Sequence, residues 1–523
     1  MPTRTGYSGY TGSRDSPIKL SKLQVKKVGI IGGGASGAIV LDSLIQEGHV
    51  SEIVLFERRS ALGGIWLFDD KSKLDPVPII EAGATRAQLD PPLTNPFYSQ
   101  NEGHGLGTGG NERISQKLKL PPFAQERFEP TPAYQQMKTN IIEKMMTYSD
   151  EKHWGPAPGE NYAEREVVQQ YITRYINRHK DNEKVRLELG TTVEDVARVV
   201  RVRSNENSRN EADSGAEGAN ASDLPYGFRV TLRQRLADGT DLWYQEEFDS
   251  LVVATGHYHI PYIPKVLGSE IVQKRHPKVF EHAKFFVNGE KYKNQTVIVV
   301  GSRALGTDLT RFTADHAAQV YQLIRSVANT KKVLLRENVH TKPVIDHFRE
   351  TNSGFEVVFA DGSVVSNPDH VLYATGYQFL YPFLEREFGD ITAQGHIVPK
   401  LYQHTFLVGE PLLSVVGVPT DAISFRAFEF QAILLVRYLA GKVALPLILA
   451  QEQWLQTRYK KHGAKRSYHT IGADDARPYM LELTELGKLE DPADFLGREF
   501  PVTTEEEVQE YVQAALARRD LWN

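Results

Sequence analysis

Two glycine-rich turns of the same design sit in this one chain, and the residue closing each unit has opposite charge in the two copies. The first reads KKVGIIGGGASGA and runs on to EIVLFERR; the second reads QTVIVVGSRALGT and runs on to QVYQLIRS. In both, a short β-branched strand enters glycines that open a helix, and a second strand ends about 20 residues beyond the last glycine, the layout of a dinucleotide-binding βαβ unit. After Gly32, Gly34 and Gly37 the second strand ends in Glu57, a carboxylate suited to a ribose with free hydroxyls, hence to FAD or NAD. After Gly301 and Gly306 it ends in Arg325 and Ser326, a cation and a hydroxyl where a ribose 2′-phosphate would lie, which suits NADPH. Arg303 occupies the middle glycine position of the second turn. There it either crowds a pyrophosphate or, pointing away, helps to hold phosphate.

The chain has 523 residues and no cysteine. A protein with two nucleotide sites often passes electrons from flavin to a cysteine pair. No thiol exists here to receive them, so disulfide-reductase chemistry, thiolate metal sites and iron–sulfur clusters held by this chain are excluded. Electrons from NADPH must leave the flavin for oxygen, a small acceptor or a partner protein. A net charge of −5 gives no basic field for nucleic acid or anionic lipid. No apolar run has the length of a membrane span, and the N-terminus lacks a signal-peptide core, so a cytoplasmic protein is expected. No metal site is expected.

Along the chain, residues 1–24 read as a flexible polar tail. A long insertion rich in proline, glycine and aromatics runs from the ALGGIW segment to about Glu164, and such stretches often cover a site. A helix (EREVVQQYITRYINRH) precedes VRLEL, TTVEDVARVVRV, GFRVTLRQ and LWYQEEF, which predict a small antiparallel meander. Between two of these, residues 204–224 are nearly devoid of apolar side chains and are expected to be a disordered loop. Two apolar strands end in Ala-Thr-Gly, at Thr255 and at Thr375–Gly376–Tyr377, one after each unit. Their placement predicts crossings between domains. The expected fold is therefore α/β, with two Rossmann-like dinucleotide-binding domains and the meander. The NADPH-binding domain (258–374) is inserted into a discontinuous FAD-binding domain (25–257 and 375–448), and a helical extension follows (449–523).

These residues resemble the flavin-containing monooxygenases, class B flavoproteins of which this chain looks like a fungal or bacterial type. The resemblance runs from about Val25 to Pro446 and rests on GIIGGGASG, LGGIW, YQQMKTN, the first ATG, GSRALG, DHVLYATGY, LYQHTF and PLLSVVGVP followed by FRAFEFQA. The family's long signature, Phe-x-Gly-x3-His-x3-aromatic, is not kept. With His282 and Phe286 aligned, His276 stands at the phenylalanine and Lys278 at the glycine, so a functional role for His282 and a plain linker histidine are both open.

The resemblance implies that NADPH reduces FAD and that oxygen adds to give a C4a-hydroperoxide. One oxygen atom then passes to an amine, thiol or sulfide, as in an N,N-dimethylaniline monooxygenase. The protein then needs only to bind, orient and exclude water. Homodimers are common in the family. The resemblance makes Asn140 the catalytic candidate, an amide able to bond flavin and nicotinamide groups, against the alternative that it caps a following helix. Ala35, Ser36, Arg58, Gly64, Trp66, Thr139, Thr255 and Ser302 join the glycines, Glu57, Arg303, Arg325, Ser326, Thr375, Gly376 and Tyr377 as expected cofactor contacts. His404 and Tyr402 either line the flavin edge or serve as packing, and Glu429 is expected in surface or interdomain hydrogen bonds. A Baeyer–Villiger enzyme is the alternative, although its signature ends in Trp-Pro where this chain has Phe286-Val287. An NADPH oxidase or reductase and a non-catalytic flavin-binding scaffold are others.

Overall fold

The computed structural model describes residues 18–20, 24–71, 74, 79–98, 116–123, 130–156, 161–200, 226–325 and 336–520. Ser326 and the 204–224 loop lie outside the described residues, as does most of the expected N-terminal tail. Its described part does not behave as a tail. Ile18 exchanges backbone hydrogen bonds with Leu445 and is 3% exposed, because an apolar side chain gains more by docking in the core than by staying in water.

The first βαβ unit forms as its sequence requires. Strand β1 (Lys27–Ile31) is followed by α1 (Ala35–Glu47), which stops at Gly48 in the left-handed region (φ 76°). Strand β2 (Glu52–Glu57) returns parallel to β1, and both are almost wholly buried, as strands covered on two faces must be. Helix α2 (Arg165–Asn177) then carries the chain to β3 (Val185–Leu189), parallel to β2. VRLEL is thus the edge of the main sheet and not a strand of the meander. The helix before it makes the crossover that parallel pairing needs, and its alternating residues are all only partly buried, as at an edge. The meander is still four-stranded among the described residues, because Leu118–Leu120 from the insertion supplies the place. It pairs with Asp241–Phe248, then Tyr226–Arg235 and Thr191–Val200.

Strand β4 (Ser250–Val253) pairs with the other side of β1, and Leu413–Val415 with β4. The seven-stranded sheet ends in the Leu401–Tyr402 and Phe406–Leu407 hairpin. A second, five-stranded parallel sheet is built from chain lying between β4 and that hairpin. Its centre is β5 (Thr296–Val300), followed by α3 (Ala304–Ala314) and β6 (Gln319–Leu323). Strand β7 (His370–Tyr373) lies on the other side of β5. Where the chain leaves and re-enters the first sheet, Ile260–Pro261 and Tyr377–Gln378 pair antiparallel. Helix α4 (Ser424–Leu439) packs on α1, and three further helices of eight or more residues follow between Ile448 and Asp520. No helix among the described residues is long and apolar enough to cross a membrane.

Candidate active site

The first glycine turn leaves a helix end open. A Cβ at Gly37 would stand 2.0 Å from the carbonyl oxygen of Gly32, so α1 packs directly on the turn that feeds it. Helix α1 has no side-chain cap and no acidic residue in its first turn, and its exposed N–H groups with the positive end of the helix dipole suit a pyrophosphate. Across from it, Gly64 of the LGGIW segment comes so close that a Cβ there would lie 3.0 Å from the Gly34 Cα. Glu57 is buried at the end of β2, where Oε2 accepts from the Gly33 N–H (2.8 Å) and Oε1 from the Arg59 N–H (2.9 Å). Both oxygens keep lone pairs for ribose hydroxyls.

These groups share one cavity of about 400 Å³. Of the residues expected from sequence, Gly32, Gly34, Ala35, Ser36, Glu57, Arg58, Gly64, Trp66, Asn140 and Thr255 line it. Asn140 is exposed to the cavity and does not cap a helix, since the only helical turn that follows at once, Glu143–Met145, has Ile142 at its cap position. Thr139 faces away. It is fully buried, and its hydroxyl accepts from the Ala163 N–H (3.1 Å).

The second turn stands apart from this lining. Gly306 repeats the packing of Gly37, with a Cβ there 2.4 Å from the Gly301 carbonyl oxygen, and α3 likewise lacks a side-chain cap. Ser302 lies in the same turn. Arg303 does not fill it. Its guanidinium reaches Asp421, on the rim of the first cavity, at 2.9 Å, and the turn is left clear for a pyrophosphate. Arg325 is exposed just beyond β6. Thr375, Gly376 and Tyr377 form the return crossing, where the Thr375 hydroxyl donates to the Tyr262 carbonyl and the Tyr377 hydroxyl is buried without a partner. Both turns present an open helix N-terminus without a side-chain cap, as a pyrophosphate requires.

His282 sits behind that crossing. Its Nε2 donates to the Gly376 carbonyl (2.9 Å) and its Nδ1 accepts from the Lys284 N–H (3.1 Å), which fixes the tautomer; burial pushes the imidazole down to about 3. It is a neutral brace. His404 and Glu429 are also internal: His404 meets His469 at 2.9 Å, and Glu429, fully buried rather than at a surface, binds Ser149 and Arg498.

Four lining residues carry no local sequence signal. His257 follows the first Ala-Thr-Gly, and both ring nitrogens are shut off from solvent without a partner. Burial, with the charge of Arg466 adding to it, pushes it down to about 3. Lys284 donates to the His259 carbonyl (2.7 Å), and its own carbonyl accepts from the buried Lys71 (2.7 Å). Burial holds the Lys284 ammonium well below the usual lysine range. Arg466 and Tyr511 come from the C-terminal extension and complete one wall.

The same extension is pinned from below by Arg498, 5% exposed, whose guanidinium meets Asp42 of α1, Asp150 (2.9 Å) and Glu429 of α4. Among the described residues no cluster suits a metal ion.

Residues 327–487 match the family model described as flavin-binding monooxygenase-like, residues 245–406 one described as pyridine nucleotide-disulphide oxidoreductase, and residues 29–105 one described as FAD-NAD(P)-binding. Flavin-containing monooxygenase iboF of Amanita muscaria is 25% identical over 85% of this chain and 84% of its own length. Flavin-containing monooxygenase FMO GS-OX-like 8 of Arabidopsis thaliana is 32% identical over 41% of this chain and 45% of its own. The fold is that of S-allyl-L-cysteine S-oxygenase from Allium sativum, with a TM-score of 0.66 at 22% identity over 95% of this chain and 93% of that one. Tmm from a Pelagibacter strain has a TM-score of 0.63 at 19% identity over 93% and 90%.

Proposed function

We propose that the chain is a flavin-containing monooxygenase, with FAD and NADPH as cofactors and oxygen and a small molecule as substrates, and that it oxygenates a soft nitrogen or sulfur nucleophile, as an N,N-dimethylaniline-type monooxygenase does. Residues 25–257 and 375–448 are its FAD-binding domain, and 258–374 the inserted NADPH-binding domain. When bound, FAD reduced by NADPH activates oxygen; one oxygen atom goes to the substrate and the other leaves as water.

One observation carries the reading. The open end of α1, Asn140, Trp66 and Gln378, the residue just past the return crossing, all line a single cavity, in a chain without a thiol to divert electrons. An amine or sulfide is itself the nucleophile, so the chain has no strong acid or base to supply. Glu57 and the α1 N-terminus bind, Gly34 and Gly64 let the cofactor's backbone-facing side come close, and Asn140 offers an uncharged amide that orients groups without changing their charge. His257, held neutral, does not compete for a proton with an amine substrate.

The test is product analysis with NADPH and ¹⁸O₂, offering a tertiary amine, a sulfide and a ketone in turn. One labelled atom in an N-oxide or sulfoxide is expected. A labelled ester from the ketone would assign Baeyer–Villiger chemistry instead, and hydrogen peroxide with no labelled product would reduce the protein to an NADPH oxidase.

A further inference from the structure

The cations lining the cavity are not equivalent. Arg58 bonds the His259 ring (3.1 Å), Arg59 pairs with Asp69 (2.8 Å), and Lys284 donates to a carbonyl. Asp421, a carboxylate of the same lining, is taken by Arg303. Arg466 alone among them has no hydrogen bond or ion pair from its guanidinium to any described residue.

Its base is nevertheless firmly held. Tyr468 Oη donates to the Pro399 carbonyl (3.1 Å), His469 accepts from the Val398 N–H (2.9 Å), and the Thr420 N–H donates to the His469 carbonyl (2.9 Å). The guanidinium passes over the return crossing at Gly376, where a Cβ would stand 2.8 Å from Nη1. Beside it are Tyr258 and His257, whose ring nitrogens also lack partners. A firmly held base and an unpaired guanidinium on the cavity wall form a receptor for an anion.

We propose that Arg466 anchors a carboxylate of the substrate, so that this enzyme takes amines or sulfides bearing an acid group. The inference rests on the oxygenase reading above. The phosphates of NADPH are the other source of an anion at this wall, and the test separates the two.

FAD-loaded full-length protein is titrated calorimetrically with methylthiopropionate and its uncharged amide, as wild type, Arg466→Met and Arg466→Lys. Wild type is expected to bind the acid about tenfold or more tighter than the amide. Arg466→Met should erase that preference and Arg466→Lys return part of it, with the kcat/KM ratio of the two compounds moving in parallel. An acid-to-amide ratio that is the same in wild type and Arg466→Met overturns the proposal. So does a substitution that only raises the NADPH concentration for half-maximal anaerobic flavin reduction, because the guanidinium then serves the phosphates. A preference that depends on Arg466 without any ¹⁸O product would keep the anchor and remove the oxygenase reading, whereas ¹⁸O product without the preference would do the reverse.

Discussion

A single methyl group tests the first glycine turn. Gly37→Ala places its Cβ 2.0 Å from a backbone oxygen that cannot move without breaking the start of α1. The expected result is a loss of bound flavin, with absorbance at the flavin band per protein falling by about fivefold or more while the circular dichroism keeps its helical content. At this scale the sequence is informative where the site is local. Gly32, Gly34, Gly37 and Glu57 lie within one βαβ unit whose geometry ties their spacing to their positions. Lys284, Arg466 and Tyr511 reach the same cavity from distant segments, and nothing in AKFF or GAKRSYH marks them, because only tertiary packing brings them there.

Elements bring their own tests, and the ion cluster joining α1, α4 and the C-terminal extension is the sharpest. Replacing Arg498 with Met leaves the buried Glu429 with only the Arg426 cation, at 3.8 Å, and Asp42 with Arg178 and His179, a change of about 3–5 kcal/mol in the destabilising direction, visible as a large fall in Tm. Asp150 has the opposite pH signature. Burial pushes its carboxyl up, but the hydrogen bonds and charges of Arg498 and Arg178 outweigh that and hold it well below the ordinary 3.8. The unfolded chain then binds the proton more readily, so the stabilisation is complete above about pH 4 and is lost on further acidification. The Tm gap between wild type and Asp150→Asn should therefore be widest near pH 7 and close below pH 4. The partners were not legible beforehand: FRAFEFQAILL reads as a helix whose glutamate makes surface or interdomain hydrogen bonds, and the arginine that meets the buried Glu429 comes from a different stretch of chain. VRLEL is a similar case, since period-2 alternation marks a half-buried strand but does not say which sheet it joins.

At the scale of the whole molecule the chain passes between the seven-stranded and the five-stranded sheet at the paired crossings, and His282 braces the return strand. Because burial holds it neutral across the working range, His282→Phe should lower Tm by the loss of two hydrogen bonds, about 1–3 kcal/mol, and leave the shape of the pH–rate profile as in wild type. A shifted profile would give the histidine a protonic role. The Ala-Thr-Gly strands that end both units carry the sequence sign that the second sheet is built from chain lying between two parts of the first. The placing of the extension was not, having no repeat or fingerprint. The bond between Asp42 and Arg498 spans 456 positions. During synthesis the first nucleotide unit emerges early with Asp42 lacking that cation, and the cavity wall stays incomplete until Tyr511 has followed Arg466 out of the ribosome. A cavity lined from Ile31 to Tyr511 is complete only when nearly the whole chain has been made.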